Sequence, residues 1–127
     1  MAKIEGTCRE VLEKSEWIAI ATSDAGGPHV VGTWSSYIMA LSVGRDDILI
    51  PVAGYHITEQ QLAKSNRIEL LCATKAVQGT YGPGKGCCIR GTGQILTSGE
   101  LAEKTKKLFD WARGVLVITV EEAIEQL

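Results

Sequence analysis

Short apolar runs separated by turn signals dominate this chain, and helix-start patterns fall between them. Thr7-Cys8-Arg9-Glu10 has the S/T-x-x-E form of a capping box, which predicts a short helix towards Lys14 with Val11 and Leu12 among its apolar residues. Residues 17–22 read as a well-buried strand, and Asp24-Ala25-Gly26-Gly27 turns the chain into a second strand over 29–36. Two more strands, 38–43 and 47–52, are predicted around the turn signal Gly44-Arg45-Asp46. Thr58-Glu59-Gln60-Gln61 forms a second capping box, so a helix of about two turns is expected before Ser65-Asn66 break it. Segments 68–74 and 87–96 are strand-like, with the glycine-rich stretch 82–86 as their connection. Ser98 is expected to cap a helix carrying Leu101, Leu108 and Trp111 on one stripe, and 115–120 closes the chain as a β-branched strand.

The predicted order is helix, four strands, helix, two strands, helix, strand, with no repeat, low-complexity tract or linker. Consecutive strands joined by short turns favour an antiparallel barrel over a parallel α/β sheet. No long helix separates each strand from the next, as a Rossmann fold requires.

The length of 127 residues has room for one core, so a single domain over 1–127 is expected. Hydrophobic residues at 45% and charged residues at 22% place the chain in the globular class. The net charge of -2 comes from interspersed acidic and basic residues, which leaves no basic stripe for a phosphate backbone, and nucleic acid is not an expected partner. The start of the chain lacks the apolar segment of a secretory signal, and no apolar run approaches the roughly 18–20 residues of a spanning helix. A cytoplasmic location without membrane contact is therefore expected. Cys8, Cys72, Cys87 and Cys88 include no C-x-x-C pair, and the neighbours Cys87 and Cys88 on a strand would point to opposite faces. Buried free thiols are expected in preference to disulfides or zinc ligands.

Among the motifs, residues 79–85 match the P-loop spacing G-x-x-x-x-G-K, but Gly86 stands where Ser or Thr is required and a strand follows where a helix should. A hairpin turn is the better account. His29 and His56 sit in no metal-binding spacing, Glu121 and Glu122 do not form a converging acid/base pair, and there is no G-x-S-x-G elbow. No catalytic residue or metal site is therefore assigned. More informative is Gly32-Thr33-Trp34-Ser35-Ser36-Tyr37, which mixes hydroxyls with aromatics; taken alone, it reads as an amphipathic strand whose Trp34 and Tyr37 fill core and interface. The segment from Pro51, Val52, Ala53 and Gly54 through Ile57 to Thr58 leads a strand into a helix N-terminus, where small residues allow close backbone approach and free amides suit a phosphate.

Together these segments resemble the small bacterial FMN-binding proteins of the pyridoxamine-phosphate-oxidase-like split-barrel superfamily. The likeness runs over nearly the whole chain, through Ala19-Ile20-Ala21-Thr22, Gly27-Pro28-His29-Val30-Val31, Thr33-Trp34-Ser35-Ser36-Tyr37, Pro51-Val52-Ala53-Gly54, Gly82-Pro83-Gly84, Ile89-Arg90-Gly91, Trp111-Ala112-Arg113 and Leu116-Val117-Ile118-Thr119-Val120. It implies a mainly β fold with short helices, a six-stranded antiparallel split β-barrel, and a homodimer that holds FMN at its interface. It further implies that Thr33 and Thr58 bind the FMN phosphate and that Trp34 and Tyr37 lie near the isoalloxazine. Pro51, Val52, Ala53 and Gly54 would meet the ring edge, and Leu127 would reach across the dimer to cover the partner's flavin.

Two positions depart from the family pattern: Ile57 replaces a Lys before the phosphate-binding Thr, and Gly32 replaces an Asn before the Thr-Trp pair. A charge-assisted contact is worth on the order of 1.5–3 kcal/mol, or one to two orders of magnitude in affinity. Lys75 or Arg90 would be the source of a compensating cation. The function implied is flavin-based electron transfer with a redox partner protein or a small-molecule electron donor. The alternatives are an FMN-dependent reductase or oxidase linked to NAD(P)H, and a haem-binding split barrel with His29 or His56 as ligand. Pyridoxamine-phosphate oxidase activity itself is not expected, because the Arg and His residues that grip its substrate have no counterpart after Val120.

Overall fold

The computed structural model describes residues 4–127; Met1, Ala2 and Lys3, on which the expectation of no secretory segment partly rests, lie outside the described residues. Chain order is α1 (Gly6–Lys14), β1 (Trp17–Asp24), β2 (Gly27–Trp34), α2 (Ser35–Leu41), β3 (Ile48–Val52), α3 (His56–Lys64), β4 (Arg67–Gln78), β5 (Pro83–Leu96), α4 (Glu100–Leu108) and β6 (Gly114–Gln126). The strands form one antiparallel sheet in the order β2-β1-β4-β5-β6-β3. Its two edge strands, β2 and β3, are bridged in sequence by α2 and not by hydrogen bonds, which is the split in the barrel.

Strict alternation drives the curl. In β1, Ile18, Ile20 and Thr22 point inward while Trp17, Ala19 and Ala21 point outward. The inward rows of β1, β3, β4, β5 and β6 meet in one apolar core with Val11 and Leu12 of α1, Ile38 of α2 and Leu62 of α3. Strand β3 is buried along its whole length because its two faces serve two clusters. Ile48, Ile50 and Val52 enter the main core, whereas Leu49 joins Leu41, Ala102 and Val115 under α4. The long β5–β6 ladder shifts register at Arg90 and Gly91. A Cβ on Gly91 would lie 2.0 Å from the Thr119 carbonyl oxygen, so only glycine fits there.

Several sequence expectations change in the structure. Residues 38–43 are not a strand: β2 ends at Trp34, and α2 takes over because Ser35, Ile38 and Leu41, spaced by three, are its buried positions. The Ser35 hydroxyl and amide fix that start by donating to Leu12 O (2.6 Å) and Glu16 O (3.0 Å). Six strands remain. Neither capping box forms: Thr7 lies inside α1, and Thr58 lies inside α3, which begins two residues earlier after a left-handed Tyr55. The β4–β5 connection narrows to residues 79–82, α4 follows Gly99 and ends before Trp111, and the last strand continues to Gln126.

The expectation of four free thiols is also corrected. Cys8 and Cys87, 79 residues apart, form a disulfide with Cα atoms 5.6 Å apart, tying α1 to β5. Proximity created by the fold, which no local spacing reveals, explains the difference. Cys72 and Cys88 are free and buried. Cys87 faces the core and Cys88 the other side of the sheet, as adjacent strand residues must. Burial pushes the Cys72 thiol up to about 11, so it stays protonated at neutral pH. Closing a loop of this length restricts the unfolded chain, and Cys8→Ser is expected to lower the free energy of unfolding by about 2–4 kcal/mol. Urea denaturation checks this, with reduced wild-type protein expected to match the variant.

Candidate functional site

Where β2 ends, β3 leaves the core and the chain emerges from α4, a cleft of about 150 Å³ opens. Alternation in β2 turns Thr33 inward, nearly buried, and leaves Gly32 and Trp34 on the other side. At the end of β3, Pro51 and Val52 are buried, and Ala53 and Gly54 then carry the backbone out along the cleft. Tyr55 follows with φ 60° and ψ 33°, a left-handed conformation costing a non-glycine residue on the order of 1–3 kcal/mol. Its hydroxyl donates to Gly32 O and spans from the start of α3 to β2. Burial raises the Tyr55 phenol above its ordinary value and a hydrogen bond with Thr33 opposes the shift, so the group is neutral at physiological pH.

Arg113 fixes the loop from below. Its Nε donates to Ala53 O and Gly54 O (both 3.1 Å), and a terminal nitrogen donates to Gly54 O (2.6 Å) and pairs with Glu59 (3.0 Å). Its backbone N–H also donates to Val52 O at 2.8 Å. One residue thus satisfies three successive carbonyls and positions the first turn of α3.

On that turn, Thr58 shares the inward face with Gln61 and Leu62. Gln61 accepts from the Thr22 hydroxyl (2.6 Å) and donates to Gly27 O (3.2 Å). Thr58 Oγ1, by contrast, is buried with no partner. A buried unpaired polar atom costs about 1–3 kcal/mol, so this hydroxyl is suited to a polar atom supplied from outside the chain.

The cleft walls are aromatic. Tyr37, Phe109 and Trp111 form a triangle with ring centroids 5.0–5.5 Å apart, and Trp17 meets Trp34 edge-on at 4.6 Å. Only the phenols of Tyr37 and Tyr55 are titratable among the lining residues, so the cleft offers rings, hydroxyls and backbone groups and no carboxylate–histidine pair.

Seven residues singled out in the sequence meet here: Gly32, Thr33, Trp34, Tyr37, Pro51, Ala53 and Gly54. Val52 lies in the core behind them, Thr58 sits buried on α3, and Ile57 is half-exposed beside it. Lys75 and Leu127 are elsewhere, lining a second concavity of about 370 Å³ at the tip of the β4–β5 hairpin together with Lys85. Arg90 lies on the outer sheet face between Glu69 and Glu122. His29 and His56 do not line the cleft. Sequence reasoning missed Tyr55, Trp17, Trp111 and Arg113 as site residues. Trp111, expected with Leu108 on an inward helix stripe, lies beyond α4 and is half-exposed, as is Leu108. Arg113 acts about sixty positions from the loop it holds, which no local pattern announces.

The departure at Gly32 has a steric explanation. A Cβ there would sit 2.1 Å from Trp17 Cζ2 and 2.2 Å from Cε2, so the indole already fills the space that a longer side chain would need.

Outside the cleft, the sheet presents an apolar surface. Gly32, Ala19, Leu71, Cys88 and Ile124 are paired successively across β2, β1, β4, β5 and β6, with Val30, Trp17 and Trp34 beside them. Leu71 is 48% exposed, Val30 61% and Trp17 52%, a contiguous apolar face of the kind that marks an interaction site. Trp17, Gly32 and Trp34 belong both to this face and to the cleft, so the two features share a rim.

No family model matches the chain. It is 41% identical over 124 residues to the FMN-binding protein of Nitratidesulfovibrio vulgaris (strain DSM 19637 / Miyazaki F), an alignment covering 98% of this chain and 99% of that protein. Among solved structures, HupZ of Group A Streptococcus superposes with a TM-score of 0.74 at 19% identity, over 97% of this chain and 99% of the other. An FMN-binding protein from Syntrophomonas wolfei gives 0.63 at 19%, over 94% and 88%. A Lactobacillus delbrueckii protein described as a candidate pyridoxamine 5'-phosphate oxidase gives 0.68 at 17%, over 98% and 99%. At these identities the structures establish a shared fold, and the sequence relative establishes kinship. With 41% identity over nearly the full length of both chains, this chain belongs to the family of the Nitratidesulfovibrio vulgaris FMN-binding protein, and its split six-stranded sheet is the fold it shares with the solved structures.

Proposed function

We propose that this chain binds FMN in the aromatic cleft and works as an electron-transfer flavoprotein, with two copies meeting through the outer sheet face. The observation that carries the cofactor assignment is the buried, unpaired Thr58 hydroxyl on the first turn of α3, the helix that follows the loop lining the aromatic cleft. Thr33, Thr58 and the free amides at the start of α3 would hold the phosphate. Trp34, Tyr37 and Trp111 would flank the ring, and the backbone of Pro51, Val52, Ala53 and Gly54 would meet its edge. When bound, FMN supplies one- and two-electron redox chemistry that no side chain here provides. This chain's residues bind it, orient it and exclude water.

A carrier is favoured over an enzyme because the cleft lacks a proton-transfer pair; its titratable groups are two phenols, and burial raises that of Tyr55. A second copy is favoured as the cover of the outer face because Trp17 and Trp34 continue from that face into the cleft, so one contact would bury both. In such a dimer the partner's Leu127 covers the flavin. Lys75 lines the same concavity as Leu127 and would travel with it, which makes Lys75 a better replacement for the cation missing at Ile57 than Arg90, already bound by two carboxylates. No helix among the described residues is long and apolar enough to cross a membrane.

Protein purified with FMN and freed of excess flavin should show a stoichiometric flavin spectrum and a solution mass of twice 13.7 kDa. A colourless protein that ignores added FMN would overturn the cofactor assignment. Thr58→Val should weaken FMN by roughly tenfold or more and leave riboflavin, which lacks the phosphate, unchanged. Leu71→Glu should yield a monomer with weakened FMN binding, measured by light scattering and flavin titration. Turnover of NADH or NADPH with a dye should be near zero, and rapid turnover would favour the enzyme reading.

A further inference from the structure

We infer that Trp17 is a ligand-binding residue of the cleft, its indole seated on Gly32 as one wall and its Nε1–H serving as a donor to the bound flavin. The inference deepens the FMN reading and rests on it.

Three observations converge on Trp17. First, the side chain crosses diagonally from β1 onto β2, although its direct cross-strand partner is Trp34. The ring lies so close to Gly32 that any β-carbon would overlap it, at 2.1 Å from Cζ2 and 2.4 Å from Nε1. Glycine at 32 is therefore the seat of the indole.

Second, the seat is part of the site. Gly32 O accepts the Tyr55 hydroxyl, the next residue is Thr33, and Trp17 lines the cleft with both. Trp17 also meets Trp34 edge-on, with centroids 4.6 Å apart and planes at 72°, so displacing one ring releases the other.

Third, the indole donor is open to solvent and can exchange water for a ligand atom. Trp17 is 52% exposed, and its Nε1–H donates to no group among the described residues. A large aromatic held in one place beside a cleft, with an unused donor, is suited to a flat ligand carrying acceptor atoms at its edge. The flavin ring system, with carbonyl oxygens and ring nitrogens on its rim, has that character.

The test uses four variants of the full chain, supplied with FMN. Trp17→Phe keeps a ring and removes the donor, and it should weaken FMN by about three- to tenfold. Trp17→Ala should weaken it further, and Gly32→Ala, which unseats the ring, should match Trp17→Ala. The double variant Trp17→Ala/Gly32→Ala should bind no worse than Trp17→Ala, because the added methyl group then meets space vacated by the indole. Near-ultraviolet circular dichroism gives a readout independent of flavin: Gly32→Ala should lose the coupled Trp17–Trp34 signal as completely as Trp17→Phe does. Wild-type protein that binds FMN while Trp17→Phe and Trp17→Ala bind it equally well overturns this inference and leaves the FMN reading standing. So does a shift of the dimer equilibrium with unchanged flavin affinity, which would make Trp17 an interface residue only. Additive losses in the double variant would show that Gly32 acts without Trp17 and would overturn the inference that it seats the indole. Wild-type protein that fails to bind FMN overturns the parent reading and this inference with it.

Discussion

The ligand side of this fold depends on how the chain leaves β3. That strand is buried on both faces and ends at Val52, after which the backbone must turn towards solvent with carbonyls that no strand partner can satisfy. Arg113 satisfies Val52, Ala53 and Gly54 together, through its own amide and a planar guanidinium braced by Glu59. A lysine, with a point charge and no fork, could not hold the same arrangement. With the loop fixed, the left-handed turn at Tyr55 becomes tolerable and α3 begins so that Thr58 faces inward. Arg113 immediately precedes β6, so the anchor of this loop is itself set by the main sheet.

Much of the architecture was legible in the sequence because apolar, β-branched runs are bounded by turn residues. Residues 17–22 and 68–74 announce strands by that character. The structure then buries Ile18, Ile20 and Thr22, and Ile68, Leu70 and Cys72, on one face of each, so that 17–22 is half-buried where full burial was expected. The segment Ile38-Met39-Ala40-Leu41 defeated the same logic. A short apolar run is consistent with either period, and what decides it is the bond from Ser35 to α1, a tertiary contact. The two S/T-x-x-E/Q patterns failed for a related reason. Glu5 and Tyr55, with backbone geometry set by their surroundings, determine where α1 and α3 begin.

The site was legible in a different way. Thr33, Trp34, Tyr37 and the loop after Pro51 could be assembled only through resemblance, since composition and periodicity gave each an ordinary structural explanation. Tyr55, Trp17 and Arg113 carry no signal in the one-dimensional pattern: their importance lies in a hydroxyl meeting Gly32 O, a ring on a missing β-carbon, and a guanidinium bridging about sixty residues. The Cys8–Cys87 bond belongs to the same class. Short-range chemistry between residues far apart in sequence is the part that only the folded chain reveals.

The register shift beside Gly91 reaches beyond the ladder it interrupts. Before it, Leu116, Ile118 and Val120 alternate into the core; after it, Glu122 and Ile124 are paired with Arg90 and Cys88, whose side chains stand on the opposite surface. Glu121 is the extra residue that inverts the parity of the strand. By that inversion one continuous segment works first as interior packing and then as exterior armour, and Ile124 is delivered to the apolar face instead of being aimed away from it. Because the switch is local to a single inserted position, the outer half of β6 is free to change its contacts in evolution without rewriting the half that holds the barrel together.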